Sequence, residues 1–358
     1  MAVAGLLGAV AAVALSVAAL CLGSGCSSVG YYAQAVSGHL DIVHRARPVT
    51  QWLADEATPP ALRERLLLSQ RMRDYAVSEL HLPDNNSYRS YADLQRGSAV
   101  WNVVAAPELS LTLKTWCYAV MGCVGYRGYF SRSAADALGA ELGSEGWEVS
   151  VYGVPAYSTL GKTSWLGGDP LLNTFLGWPE GELARLIFHE LAHQVAYAAD
   201  DTMFNESFAT AVERIGGQRW LATRASAAAR DEYEQWSARR SDFRELTLRQ
   251  RQRLQSLYES TMSDADKRVR KAELKRQLGS EVAALKATRW AGFTGYDAWF
   301  AQANNAAFGV QAAYNELVPA FERLFAQQGS DFERFYAEVR RLAALSPSER
   351  RATLDALK

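Results

Sequence analysis

Residues 183–216 read LARLIFHELAHQVAYAADDTMFNESFATAVERIG, and they constrain the fold more than any other stretch. Two of the chain's five histidines, His189 and His193, stand four residues apart around Glu190. Apolar Leu186, Ile187, Leu191 and Val195 recur on a helical period, while Pro179, Glu180 and Glu182 suit a first helical turn. The pattern predicts a helix over 179–199. On a helix, positions i and i+4 lie one above the other. Both imidazoles can therefore aim a nitrogen at one point about 2.0–2.1 Å away, the distance zinc takes to histidine. Glu190 projects from the adjacent edge, too far round to be a ligand but well placed to hold a water and take its proton. Two buried structural histidines are the bland alternative, and the intervening glutamate weighs against it.

A catalytic zinc needs a third protein ligand and one open position. Asp200, Asp201 and Glu206 come soon after His193. Glu206 comes after Asn205, a good N-cap, and opens a second predicted helix over 205–215 that Gly216-Gly217 stops. Glu213 lies seven residues on, nearly two turns, hence on the same face. It is expected to reach a ligand histidine from behind, or else to be a surface acid beside Arg214.

Lys plus Arg is 38 and Asp plus Glu is 39, so no basic excess is available to neutralise a phosphate backbone, and nucleic acid is not an expected partner. With 49% hydrophobic residues in 358, the chain can bury a large core and is not disordered. Residues 1–25 carry no charged side chain and read as a secretory segment or a membrane helix. The small residues before Cys26 resemble the processing site of bacterial lipoproteins, in which the cysteine becomes the lipidated first residue. An uncleaved anchor is the alternative; both place the rest of the chain in an exported compartment. Cys117 and Cys123 then remain, six apart in WCYAVMGCVGYRGYF, where a disulfide persists. They are expected to close a short loop, with buried free thiols as the alternative.

Elsewhere, helices are expected over 27–45, on both sides of Pro59-Pro60 within 50–80, and over 133–142, and a strand over Trp147–Tyr152. From Gln218 to Leu278 there is no Gly or Pro. This stretch reads as a long, solvated helical arm, a hairpin broken near Ser260–Asp266, with Phe243, Leu246, Leu254 and Leu257 on one face. The expected fold class is α+β, predominantly helical, with a small sheet before the histidine helix. The expected division is a signal segment (1–25), a metal-binding core (26–217), the charged arm (218–285), and a C-terminal helical part completing the catalytic domain (286–358).

HELAHQ followed by NESFATAVE resembles the gluzincin metallopeptidases, whose zinc is held by H-E-x-x-H and a glutamate on the next helix. The chain is also similar over residues 26–330 to a family of bacterial lipoproteins called predicted aminopeptidases. CSSVGYYAQAVSGHLDI, WCYAVMGCVGYRGYF, VYGVPAYSTLG and NNAAFGVQAAYNELVPAF carry that similarity. The resemblance implies one Zn²⁺ on His189, His193 and Glu206, with Glu190 as general base, and a lipid anchor on Cys26 in the bacterial periplasm, at the outer membrane. It also implies a peptide substrate lying along 149–158 against Tyr152, Val154, Ala156 and Tyr157, unless that segment is a plain hairpin edge. A tyrosine is implied as second oxyanion donor, with Tyr314 the candidate, Tyr296 the runner-up, and an ordinary packing role the alternative. Tyr126 and Arg127 either line the cleft or, for Arg127, pair with a buried acid. The 12 residues between His193 and Glu206 are fewer than in the zinc aminopeptidases, and no G-x-M-E-N segment is present to grip a free amine. An exopeptidase is the first reading. An endopeptidase trimming envelope proteins, with the arm selecting or gating substrates, is the second, and a non-catalytic lipoprotein with a structural zinc and the arm binding a partner protein the third.

Overall fold

Two buried glycines decide how the histidine helix meets its neighbour. In the computed structural model, which describes residues 26–118, 122–156, 168–199, 201–310 and 317–357, the second helix does not stop at Gly216-Gly217 but runs over Thr202–Thr223. A Cβ on Gly216 would stand 2.6 Å from the Leu80 side chain and 3.0 Å from Phe188, and one on Gly217 would stand 2.7 Å from the Arg185 side chain. The glycines are there for close packing, not for termination. Gly216→Val is expected to lower stability by about 1–3 kcal/mol through overpacking, read as a fall in the thermal midpoint.

In chain order the first elements are α1 (Cys26–Arg45), β1 (Arg47–Pro48), α2 (Val49–Ala54), α3 (Pro60–Ser78), β2 (Ser90–Ala92) and β3 (Val100–Ala106). Next come β4 (Trp116–Tyr118), β5 (Gly122–Val124), β6 (Arg127–Tyr129), α4 (Arg132–Ser144) and β7 (Glu148–Val154). The histidine region comprises β8 (Leu171–Leu172), α5 (Asn173–Leu176), α6 (Glu180–Ala192) and α7 (Thr202–Thr223). The arm is α8 (Ala227–Glu259) and α9 (Asp264–Thr288), followed by α10 (Asp297–Gln302), α11 (Asn305–Val310), α12 (Val318–Gln327), α13 (Phe332–Ala343) and α14 (Pro347–Asp355). The class is α+β and mainly helical, as expected. Among the described residues no helix is long and apolar enough to cross a membrane; residues 1–25 lie outside the description.

The main core joins α3, α6, α7, α12 and α13 through residues such as Leu66, Met72, Phe188, Phe204, Phe208, Phe321 and Phe335. Beside it stands an antiparallel sheet of order β6-β3-β7, with Val103 opposite Val151 and Asn102 opposite Tyr152. Its two faces follow the strand period. Val103, Ala105 and Val151 pack with α4, whereas Val104, Ala106 and Tyr152 pack with Ala306 of α11. β7 is an edge strand, and on its outer side Asn304 Nδ2 donates to the Val149 carbonyl at 2.8 Å. Cys117 and Cys123 face each other across the β4–β5 hairpin and form the disulfide.

The arm is the expected hairpin, breaking at residues 260–263, but it is not simply solvated. Leu246, Leu254 and Leu257 of α8 and Leu274, Leu278 and Val282 of α9 make a core of their own with Trp290 and Phe308. Phe243, on the same face, is half-buried and stacks on Tyr296 at 4.4 Å.

Candidate metal centre

α6 ends at Ala192, seven residues earlier than the sequence predicts, and His193 is its C-cap. Beyond the cap, two turn hydrogen bonds, from Gln194 N to Leu191 O and from Val195 N to Ala192 O, end the helical path, and side chains pin the chain that follows. Buried Arg73 donates to the carbonyls of Pro83, Asn85 and Ser87, which shapes the 83–87 loop. Gln194 docks on that loop, accepting from Asn85 Nδ2 at 2.6 Å and donating to Ser87 Oγ at 3.2 Å. Asn205 is not an N-cap. It is buried within α7 and clamps Ala198 with two 2.8 Å bonds, one to the amide and one to the carbonyl. The N-cap is Asp201, whose carboxylate accepts from the Phe204 amide and pairs with Arg350. These contacts fix His193 before the interhelix loop and Glu206 beyond it.

His189, His193 and Glu206 converge. The two Nε2 atoms are 3.2 Å apart, and the Glu206 carboxylate lies 3.3 Å from His189 and 3.7 Å from His193. One ligand atom from each residue falls within 4.8 Å of the others. Two imidazole nitrogens and a carboxylate pointing at one spot are a donor set that fits a divalent cation and leaves a coordination position open. Glu213 Oε2 stands 2.9 Å from His189 Nδ1, on the far side of that ring, and its other oxygen pairs with Arg185. Glu213 is therefore not a surface acid beside Arg214. Glu213→Gln is expected to weaken metal affinity about 10- to 100-fold, measured by competition with a chromogenic chelator.

Burial alone would push the Glu213 carboxyl up, but the Arg185 guanidinium and His189 outweigh it and bring it down to about 2. Burial is likewise outweighed at His189, where hydrogen bonds to Glu206 and Glu213 hold the imidazolium well above its ordinary range. His193 goes the other way. Burial, and then the positive charge of His189, lower it to about 4. Glu206 is lowered because the two histidines outweigh its burial.

Glu190 lines a cleft of about 330 Å³ with His189, Glu213, Trp178, Leu186, and Val154 to Ala156. The end of edge strand β7 thus runs beside the histidines. Of the four residues expected along the substrate, Val154 and Ala156 are in the cleft wall. Tyr152 is not; it packs against Val104 and Ala106, with its hydroxyl 3.4 Å from Asn102 Nδ2. Tyr157 and Tyr314 lie outside the described residues. Tyr296 caps α10 and packs among Phe243, Trp290 and Phe293 instead. Tyr126 is close enough to Glu206 that burial and that carboxylate push its hydroxyl up to about 12. Arg127 lies over the Tyr31 ring at 4.4 Å, and no acid within ion-pair distance of it is found among the described residues. Sequence reasoning missed Arg185, Glu182 and Arg240, which also line the cleft. Their signal was available for two of them, since Arg185 and Glu182 stand four and seven residues before His189 on one helical face.

A family model described as "Putative aminopeptidase" matches residues 30–354. The chain belongs to that family. No curated protein and no solved structure matches the chain significantly. The aminopeptidase family's match spans α6, α7, the arm and the C-terminal helices, so every described cleft residue falls inside it. The family description names a peptidase, and His189, His193 and Glu206 form a group able to hold a metal ion.

Proposed function

We propose that the protein is a zinc-dependent aminopeptidase held to a bacterial membrane, facing the periplasm, by a lipid on Cys26. One observation carries the reading: Glu190 lines one cleft with His189, a member of the converging His189, His193 and Glu206 group, and with the end of an edge strand. His189, His193 and Glu206 would hold the zinc, which when bound would supply Lewis acidity toward a water and the scissile carbonyl. Glu190 accepts the proton of the attacking water and returns it to the leaving amine nitrogen. Glu213 fixes the ring of His189 and keeps its other nitrogen turned to the metal. Val154 and Ala156 hold the peptide in extended form beside the reacting carbonyl, by strand addition. The Tyr314 hydroxyl is the proposed second donor to the oxyanion.

An endopeptidase is the second reading, and one observation favours it. Of the three acids that line the cleft, Glu182 and Glu213 are paired with arginine and Glu190 is assigned to proton transfer, which leaves none of them to grip a substrate's free amine. The deciding experiment incubates the zinc-loaded chain with matched peptides bearing free or acetylated N-termini and identifies products by mass spectrometry. Stepwise loss of N-terminal residues from the free peptides alone is expected. Internal cuts in blocked peptides would make it an endopeptidase, and no cleavage of either set would end the peptidase reading.

A further inference from the structure

One face of α1 is apolar and uncovered. Among the described residues eight large apolar side chains are exposed. Three of them, Tyr32, Val36 and Leu40, stand at successive four-residue steps of α1 and are 43%, 60% and 52% exposed. The other five are divided among α3, α8, α9 and two loops. Gly30, Ala33 and Ser37 complete the exposed set between residues 30 and 40, so that face carries no charged side chain. The opposite face of α1 is held firmly. Gln34 takes the place of a strand beside β6: its Nε2 donates to the Gly128 carbonyl at 3.3 Å, and its Oε1 accepts from the Phe130 amide at 3.1 Å. Tyr31 meets the Tyr129 ring edge-on at 5.7 Å, with the Arg127 guanidinium over it, and Ile42 enters the main core. A helix bound along one side and apolar along the other presents a contact surface of fixed orientation.

We propose that this face of α1 seats on the bilayer to which the chain is anchored. The chain before α1 identifies the occupant. Residues 1–25 carry no charged side chain, and they end at Cys26, the first residue of α1. A lipid on Cys26 and an uncleaved apolar anchor both put the start of α1 at the membrane surface. At 1.5 Å per residue, Tyr32 comes about 9 Å after Cys26 and Leu40 about 21 Å after it, so the stripe begins beside the anchor and runs on from it. A helix leaving an anchor either lies along the surface or stands off it, and an apolar stripe selects the first. Arg45 and Arg47, at the far end, are paired with Asp41 and Asp55, so the seating is hydrophobic and needs no anionic lipid. Gln34 clamps α1 to β6, and β6 shares its sheet with β7, whose end lines the cleft; the seated helix thus holds the cleft at one orientation to the membrane. The occupant rests on the membrane anchorage proposed above, whereas the peptidase chemistry plays no part in it.

The test places the full chain, produced in bacteria, in phosphatidylcholine vesicles. A polarity-sensitive fluorescent amino acid replaces Val36 or Leu40 or, as a water reference, Leu67 of α3 or Val269 of α9. Quenching by lipids that carry a nitroxide at known depth is compared with quenching by aqueous iodide, and intact mass reports acylation of Cys26. Probes at 36 and 40 are expected about 5–10 Å below the membrane surface, sheltered from iodide at every protein-to-lipid ratio, with or without phosphatidylglycerol. Val36→Glu combined with Leu40→Glu, read by a probe at Ser37, is expected to return the face to water while the thermal midpoint keeps its parental value. Probes at 36 and 40 as open to iodide as the references overturn the proposal. So does shelter that appears only at high protein density, the mark of a contact between copies, and so does shelter that requires phosphatidylglycerol. Acylated Cys26 with both probes in water ends the seating and keeps the lipid anchor; probes at depth without acylation keep the seating and end the lipid anchor.

Discussion

Glu190→Gln is expected to slow peptide hydrolysis by about 100- to 10,000-fold, the range that a positioned proton-transfer group contributes. The substitution keeps side-chain size and removes only the ability to hold a proton. Glu190 lies between the two histidines on α6 and lines the same cleft as His189, Val154 and Ala156, so it is within reach of a water between metal and peptide. Glutamine there still fills the cleft wall. Zinc content by mass spectrometry and the thermal midpoint should therefore stay at parental values while kcat collapses. Loss of bound zinc together with activity would instead mean that Glu190 is part of the ligand set, and retained activity would remove it from the mechanism.

Removing a metal ligand should have an effect of similar size and a different signature. His193→Ala is expected to abolish both hydrolysis and stoichiometric zinc, because it deletes one of the three protein donors that converge among the described residues. Metal uptake by the metal-free parent should also depend on pH with a definite sign. Its hydrogen bonds to Glu206 and Glu213 raise His189 well above its ordinary value, so it carries a proton at neutral pH. Zinc must displace that proton, and apparent affinity should climb up to about tenfold per pH unit until the raised value is passed. His193, lowered to about 4, is already neutral at pH 7 and adds nothing to the slope there. Calorimetry in buffers of different ionisation enthalpy should count about one proton released per zinc at pH 7. A count of zero would mean that the imidazole nitrogens are free of protons before the metal arrives.

The convergence of His189, His193 and Glu206 was legible because helical spacing is local: i to i+4 on one helix, and an acid on the next. Glu213 behind His189 was legible for the same reason. The features that stayed hidden depend on distant partners. Gly216-Gly217 carries a stop signal locally, yet Leu80 and Arg185 pressed against it make it a crossing point inside a helix. Asn205 has the chemistry of a cap, but the carbonyl and amide of Ala198 claim its amide group, and Asp201 caps instead. Arg240 looks like any other charge on a wet helix. Only the fold of the hairpin brings Arg240 to Glu182.

The early end of α6 has an electrostatic consequence. A helix carries a macrodipole whose carbonyl end behaves as about half a negative charge. α6 closes at Ala192 with His193 as its C-cap, so that pole falls at the residue that joins His189 and Glu206 in the candidate metal centre. Had the helix run on to residue 199, the pole would lie about 10 Å farther away at 1.5 Å per residue. A cation held by His189 and His193 therefore meets the carbonyls of the last turn as a diffuse counter-charge in addition to the Glu206 carboxylate, a contribution of about 0.3–1 kcal/mol that no side-chain substitution at the site can remove.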